Sequence, residues 1–318
     1  MLKPKIFHLI LCLVVWPFLA TAQDSNIEYP VETIENFLKH DTLEIMVPRE
    51  IRANAALAKT AVLANPEGFF LRVKVKQASK GGEAPNNEPR YENAAYALQK
   101  LFLTEPEFVV PPNVIRAFPL KKFREQVNPH AEPTFKGTSS VVCDIQYWLN
   151  NITKFDKIDP ARFESDSLYA HHVANFNILT YLIKHSDSNE GNFLISTDPL
   201  NPRVFAVDNG VAFGSPESTR GTYWKELRID RAPRSTVDRL RTINRDVLNK
   251  TLAVVAQFNV EDDQLIMTEP ASMFAGYKGV RTKSDIVQFG LTTLEIDGVE
   301  RRLDWFLDRV DSGKLKLF

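Results

Sequence analysis

Cysteine is nearly absent from this sequence. The 318 residues include only Cys12 and Cys143, and Cys12 lies in an apolar N-terminal run that we expect to be removed. A single remaining cysteine cannot form an internal disulfide, which excludes the small disulfide-stabilised scaffolds. Stability must therefore come from a buried core, and a chain of this length with 44% hydrophobic residues can form one.

Neither positive nor negative charge predominates in the sequence. The 39 Lys and Arg residues nearly balance the 40 Asp and Glu residues, and the formal net charge is −1. This balance gives no indication of a nucleic-acid partner, which would favour a basic chain. No internal repeat is visible, and no apolar run after residue 19 is long enough to cross a membrane. We therefore expect a globular protein with no stable membrane span once its N-terminus is removed.

Residues 1–22 have the pattern of a secretory signal peptide. A basic start with two lysines is followed by an apolar run over 6–19 and by the small residues Ala20-Thr21-Ala22, which suit a cleavage site. The apolar run is short for a membrane helix, so the alternative of an uncleaved anchor is less favoured. The pattern predicts a secreted or periplasmic protein.

Two polar segments in the middle of the chain carry the candidate chemistry. Asp187 and Asn192 lie five residues apart in a loop that follows an apolar helix, and Asp208 comes after a second short strand. This order can place one carboxylate beside a hydroxyl and hold Mg²⁺ with an amide oxygen and a second carboxylate. The alternative is an ordinary hairpin with polar turns, since Asp208-Asn209-Gly210 is a common turn sequence.

These residues resemble a known family. Asp187-x4-Asn192, followed by Asp208 within the segment 207–214, is similar to the atypical kinases of the secretory pathway. These are the Golgi casein kinase family and the spore-coat kinases, distant relatives of the phosphatidylinositol 3- and 4-kinases. The resemblance implies that Asp187 is the catalytic base, that Asn192 and Asp208 bind Mg²⁺ or Mn²⁺, and that ATP is bound. Ser188-Asn189 stands where these families commonly have Arg and then His.

A second group of candidates lies upstream. Residues 69–76 alternate between apolar and basic, which predicts a strand with Lys74 and Lys76 on one face. Glu92 falls in the first turn of a helix predicted over 91–103, and a kinase uses a strand lysine and a helix glutamate to hold the α- and β-phosphates. Alternation cannot choose between the lysines, and we predict Lys74 because it is nearer the strand centre. The alternative is that the lysines are solvated and that Glu92 only complements the positive helix N-terminus.

The segment 141–148 changes from an apolar strand to polar and aromatic residues. By position it would be the hinge between two lobes, where Cys143 and Asp144 would meet the adenine, although an ordinary strand-to-helix connection fits almost as well.

One expected element is missing, because no glycine precedes Gly68 and no glycine-rich phosphate loop therefore comes before the lysine strand. The small residues within 52–59 are the candidates to let the backbone approach phosphates.

Downstream of Asp208 the chain becomes basic. The run is either a solvated face or an acidic-substrate site beside the catalytic loop. Its basic residues are Arg220, Lys225, Arg228, Arg231, Arg234, Arg239, Arg241 and Arg245.

Residues 247–318 are predicted to form several helices. The adjacent His171 and His172 point to different faces of a helix and have no third ligand nearby, so we expect no metal site there.

The pattern as a whole predicts an α+β, two-lobed protein-kinase-like fold. A small β-rich N-terminal lobe would span 23–140, and a mostly helical C-terminal lobe would span 141–318. The function implied is Mg²⁺- or Mn²⁺-dependent transfer of the ATP γ-phosphoryl group to a hydroxyl of a protein, sugar or lipid, with an acidic protein as one candidate substrate. Two alternatives stay open, namely a secreted nucleotide-binding pseudokinase that acts as an interaction module and a kinase-fold AMP transferase.

Overall fold

The computed structural model describes residues 25–50, 58–85, 87–187, 191–214 and 221–318. The predicted signal peptide 1–22 lies outside the described residues, as do Ser188-Asn189 and most of the small-residue segment 52–59.

An antiparallel sheet of five strands organises the N-terminal half, together with three helices that pack around it. The sheet has the spatial order β1-β2-β3-β5-β4, with β1 (Glu44–Glu50), β2 (Ala58–Ala64), β3 (Phe70–Gln77), β4 (Asn113–Pro119) and β5 (Ser140–Tyr147). The helices are α1 (Val31–His40), α2 (Pro89–Gln99) and α3 (Leu120–Gln126).

The predicted alternation of β3 is confirmed, and it explains how the sheet is covered on both faces. Leu71, Val73 and Val75 are buried in an apolar cluster with the residues that α1 contributes. Lys74 and Lys76 project from the opposite face, where Lys76 meets Glu92 of α2. A period-2 strand thus presents its apolar side to one helix and its basic side to another.

Helices make up much of the C-terminal half outside residues 256–289. Asp166 caps the long central helix by accepting hydrogen bonds from the backbone N–H groups of Leu168 and Tyr169, and Phe176 packs in the core against Phe155 and Trp224. The elements are α4 (Pro160–Ser165), α5 (Ser167–Leu182), α6 (Arg234–Leu240), α7 (Arg245–Leu252) and α8 (Thr293–Asp311), with an antiparallel sheet of β6 (Ile152–Lys154), β7 (Phe193–Ser196) and β8 (Val204–Ala206), and the short strand β9 (Arg231–Ala232).

The prediction of helices throughout 247–318 is wrong for residues 256–289, which form a second antiparallel sheet. Its strands are β10 (Ala256–Glu261), β11 (Gln264–Thr268), β12 (Val280–Lys283) and β13 (Ile286–Phe289), in the order β11-β10-β13-β12. Asp262 and Asp263 have φ of 47° and 61°, the positive values that a two-residue hairpin turn requires. The last strand, β14 (Lys316–Leu317), returns to pair in parallel with β9.

The predicted α+β architecture is confirmed, with a β-rich N-terminal half followed by a region rich in helices. Strand β5 belongs to the five-stranded sheet, so the chain leaves that sheet at Trp148, after the predicted lobe boundary at 140. Among the helices of the described residues, none is both long enough and apolar enough to cross a bilayer.

Helix α2 begins beside a buried guanidinium. Arg90 lies within 2.7–2.9 Å of the carboxylates of Glu83, Glu88 and Glu295, so one cation faces three acids. Burial raises the pKa of Glu88 to about 7; Arg90 opposes this shift, and the two other carboxylates add to it. Ionised Glu88 is therefore unfavourable in the folded protein.

We expect Glu88→Gln to stabilise the protein at pH 8 and to leave it nearly unchanged at pH 5. In the unfolded chain Glu88 titrates near its ordinary pKa, so the folded state holds an extra proton and loses stability as the pH rises through about 7. Removing the charge recovers about 2–3 kcal/mol of unfolding free energy at pH 8. Urea unfolding of both proteins at the two pH values measures this, and an equal difference at pH 5 and pH 8 would contradict it.

Candidate functional site

A cavity of about 300 Å³ lies between the five-stranded sheet and the β7–β8 hairpin. Its wall brings together three of the predicted site residues, Lys74, Asn192 and Asp208, which are far apart in sequence. The other described residues around it are Ala58, Gln146, Tyr147, Trp148, Leu149, Ile152, Gly191, Leu194 and Val207.

Two lysines converge on Asp208. Oδ1 of Asp208 lies 2.9 Å from Nζ of Lys76 and 3.3 Å from Nζ of Lys74. Burial alone would raise the pKa of Asp208, but the two ammonium groups outweigh it and hold that pKa well below its ordinary value. Burial would lower the pKa of Lys76, but Asp208 and Glu92 raise it above its ordinary value. Asp208 is therefore ionised and Lys76 charged at any physiological pH.

The ion pair with Glu92 is made by Lys76. Nζ of Lys76 lies 3.8 Å from Oε1 of Glu92, whose side chain is 1% exposed, whereas Nζ of Lys74 lies 3.3 Å from Oδ1 of Asp208. Burial raises the pKa of Glu92, and Lys74 and Lys76 both oppose that rise. The structure thus brings the predicted pair together through the second lysine of the strand. Which lysine meets a phosphate stays a prediction.

Lys76→Met is expected to reduce both stability and activity more than Lys74→Met. Loss of Lys76 leaves the buried carboxylate of Glu92 without its nearest cation, which costs about 3 kcal/mol. Loss of Lys74 removes its contact with Asp208, whose side chain is 40% exposed, which is worth about 1 kcal/mol or less, and it leaves Lys76 in contact with Glu92. Urea unfolding measures the difference, and adding Glu92→Gln to Lys76→Met should recover part of the loss because the two side chains act together. An equal or larger loss in Lys74→Met would refute this ranking.

Backbone groups of Asp187 bond to two side chains and so hold its loop in place. The N–H of Asp187 donates to Nδ1 of His185 over 3.3 Å, and its carbonyl accepts from Nδ2 of Asn192 over 3.4 Å. Burial lowers the pKa of His185 to about 4, so its ring is neutral and can accept that hydrogen bond. The N–H of Ser186 donates to the carbonyl of Val211, which fixes the loop to the segment after Asp208.

The backbone at Asp208 turns sharply and reaches α2. Asp208 has a φ of 59°, in the left-handed region that Asp tolerates better than most residues. The next residue, Asn209, is fully buried, and its N–H donates to Oε2 of Glu92 over 2.7 Å. Glu92 therefore holds Lys76 with one oxygen and the Asp208 segment with the other. The sequence pattern did not identify this role of Asn209.

Asn192 and Asp208 offer the donor set that Mg²⁺ or Mn²⁺ prefers. The amide nitrogen of Asn192 is used in the loop, which leaves its oxygen as the ligand atom. Both lysines contact Oδ1 of Asp208, and Asp208 lines the cavity. An amide and a carboxylate oxygen suit a hard cation that keeps waters and phosphate oxygens as its other ligands. Within the described ranges no group of three or more His, Cys, Asp and Glu residues suits a metal.

Two predicted nucleotide contacts do not reach the cavity. Cys143 and Asp144 are fully buried in the middle of β5, where Asp144 lies opposite Lys76 and accepts a hydrogen bond from Asn93 over 3.1 Å. Burial and then Glu92 raise the pKa of Asp144 well above its ordinary value. The strand continues to Tyr147, so residues 146–149 line the cavity where a hinge would be.

Most of the predicted basic run is engaged in ion pairs. Arg239 lies 2.7 Å from Glu107, which also binds His171 at 2.7 Å, and Arg228 lies 2.7 Å from Glu226. Arg220 lies outside the described residues. The geometry favours a structural role for these arginines, and an acidic partner stays a prediction. The other paired members of the run are Arg231, Arg241 and Arg245.

Comparison with known proteins identifies similar solved structures. The sequence matches no protein-family profile and no curated protein. A Fam20 structure from hydra with sugar superposes with a TM-score of 0.55 at 16% identity, covering 92% of this chain and 93% of that one. The Golgi casein kinase superposes with a TM-score of 0.53 at 12% identity, covering 91% and 77%. The fold is that of the Golgi casein kinase family.

A second structure of the Golgi casein kinase, with Mn/ADP bound, gives a TM-score of 0.51 at 12% identity and covers 90% of this chain and 75% of that one. The predicted resemblance to the Golgi casein kinase family and the two-lobed protein-kinase-like fold are thus confirmed. At identities of 12–16%, these superpositions show the shared fold alone.

Proposed function

We propose that this protein is a secreted or periplasmic phosphotransferase that moves the γ-phosphoryl group of ATP to a hydroxyl. One observation carries the proposal: a single cavity gathers Lys74, Asn192 and Asp208, with the Lys76–Glu92 pair behind it. Asp187 lies in the loop bonded to Asn192. The Golgi casein kinase, which has the same fold, has been solved with Mn/ADP, which supports nucleotide and Mn²⁺ as ligands here.

Each residue has a task that phosphoryl transfer requires. A bound Mg²⁺ or Mn²⁺ would neutralise phosphate charge, and Asn192 and Asp208 would hold it. Lys74 and Lys76 supply two positive charges at the sheet for the α- and β-phosphates, and Glu92 keeps Lys76 in place. Since the transition state needs little covalent chemistry from the protein, positioning and charge neutralisation suffice.

Asp187 acts on the acceptor. Its carboxylate would accept the hydroxyl proton or orient that hydroxyl toward the γ-phosphorus. The acceptor is a hydroxyl on a protein, sugar or lipid, and the predicted signal peptide 1–22 supports a reaction outside the cytoplasm.

Labelled ATP tests the proposal. The purified protein is incubated with Mn²⁺ and ATP carrying label at either the γ- or the α-phosphate, and both protein-bound label and released phosphate are measured. Transfer of γ-label by the parent, with Asp187→Asn as matched control, would support the kinase. Transfer of α-label would show AMP transfer instead, and tight nucleotide binding without any transfer would show a pseudokinase. Both of these outcomes would overturn the proposal.

A further inference from the structure

The N-terminus of α8 is joined to the first turn of α2 by a buried polar cluster. Arg90 is 6% exposed, and its Nη1 donates to Oε2 of Glu295 over 2.7 Å and to the carbonyl of Gly290 over 3.4 Å. Its Nη2 donates to the hydroxyl of Tyr91 over 2.9 Å, and that hydroxyl donates to the other oxygen of Glu295. A residue 204 positions later in the chain thus binds both side chains that precede Glu92.

The cluster continues toward Asp208, which lines the cavity. The ring of Tyr91 lies 5.5 Å from that of Phe213, in the segment that follows Asp208. The next residue, Glu92, contacts Lys76 and the N–H of Asn209. The first turn of α2 is therefore fixed on one side by α8 and on the other by the lysine and the Asp208 segment.

The surrounding packing leaves Arg90 little freedom. A Cβ added at Gly279 would fall 2.2 Å from Nε of Arg90, so only glycine leaves room for the guanidinium there. Because the cluster is buried and closely packed, small shifts of Glu295 are transmitted to α2 rather than absorbed. The contact between Glu92 and Lys76 is already 3.8 Å long, so a small shift of α2 would break it.

We propose that Arg90, Tyr91 and Glu295 are positioning residues that hold Glu92 against Lys76, so that the N-terminus of α8 sets the geometry of Lys76. This inference rests on the proposed phosphotransferase function for its effect on activity. Its structural part, the fixing of α2 by Glu295, is measurable without any nucleotide.

The test compares Glu295→Ala with Thr292→Ala. Thr292 and Glu295 form the capping box of α8, so both variants lose that cap. Only Glu295→Ala also loses the contacts with Arg90 and Tyr91. Hydrogen exchange of the α2 amides in nucleotide-free protein, and kcat and KM for ATP, are measured for both. Tyr91→Phe, which keeps the ring on Phe213 but removes the bridging hydroxyl, is the second variant should Glu295→Ala fail to fold.

We expect faster exchange in α2 for Glu295→Ala than for Thr292→Ala, and a loss of kcat/KM of about tenfold or more in the first variant alone. In a Glu92→Gln background Glu295→Ala should cause almost no further loss, because Glu295 acts through Glu92. Equal exchange in the two variants would overturn the proposal, as would losses additive with Glu92→Gln. If the parent transfers no phosphoryl group, the proposed function fails, and the exchange comparison still decides whether Glu295 positions α2.

Discussion

Asp208→Asn is expected to abolish the stabilisation that Mg²⁺ or Mn²⁺ adds to nucleotide binding. Asp208 supplies the carboxylate of the cavity, and Asn192 adds only a neutral oxygen. A ligand at a hundred times its Kd stabilises the folded state by about 2.7 kcal/mol, so the loss is readily measured as a shift in Tm. Thermal unfolding with ATP, with and without metal, makes the comparison.

The same substitution should spare metal-free ATP binding. Lys74 and Lys76 lose Asp208 as a partner at 3.3 and 2.9 Å, which frees positive charge for phosphate oxygens, while Lys76 keeps its contact with Glu92. Asp144→Asn is a suitable control because Asp144 is buried on the same face of the sheet as Lys76 but does not line the cavity. If metal raises the Tm of nucleotide-bound Asp208→Asn as much as that of the parent, the assignment of the metal ligand is wrong.

Local periodicity predicted the elements that carry the site. Apolar and basic residues alternate through β3, so its two faces follow from the sequence alone. The β10–β11 hairpin depends on the two-residue turn Asp262-Asp263, which is short and polar and lies between apolar stretches. Apolar periodicity alone does not distinguish such a hairpin from a pair of helices.

Details that depend on register could not be predicted. Lys74 and Lys76 share a face, and only the position of α2 decides which of them meets Glu92. Likewise the length of β5 places Gln146, rather than Cys143 or Asp144, at the cavity. The contact between Tyr91 and Glu295 joins residues 204 positions apart, which no local pattern reveals. These features are set by tertiary packing, which a single sequence does not display.

Asp187→Asn should fold normally, bind nucleotide and metal, and lose phosphotransfer by roughly 10²–10⁴-fold, the usual contribution of a positioned acid–base group. The bonds that tie Asp187 to His185 and Asn192 use its backbone N–H and carbonyl, which the substitution leaves in place. These two bonds should therefore persist while the carboxylate charge is removed. Rates with γ-labelled ATP, the Tm, and the Tm shift caused by nucleotide separate the two effects.

A purely structural role for the Asp187 carboxylate predicts a different result, namely a lower Tm with activity reduced only in proportion to the folded fraction. Asp198→Asn is a useful control, because Asp198 lies in the β7–β8 hairpin and its carboxylate accepts a hydrogen bond from the N–H of Leu200, a turn role that asparagine can fill. It should retain full activity. Well-folded Asp187→Asn protein with undiminished transfer would remove Asp187 as the base, since no other change in that variant touches the acceptor.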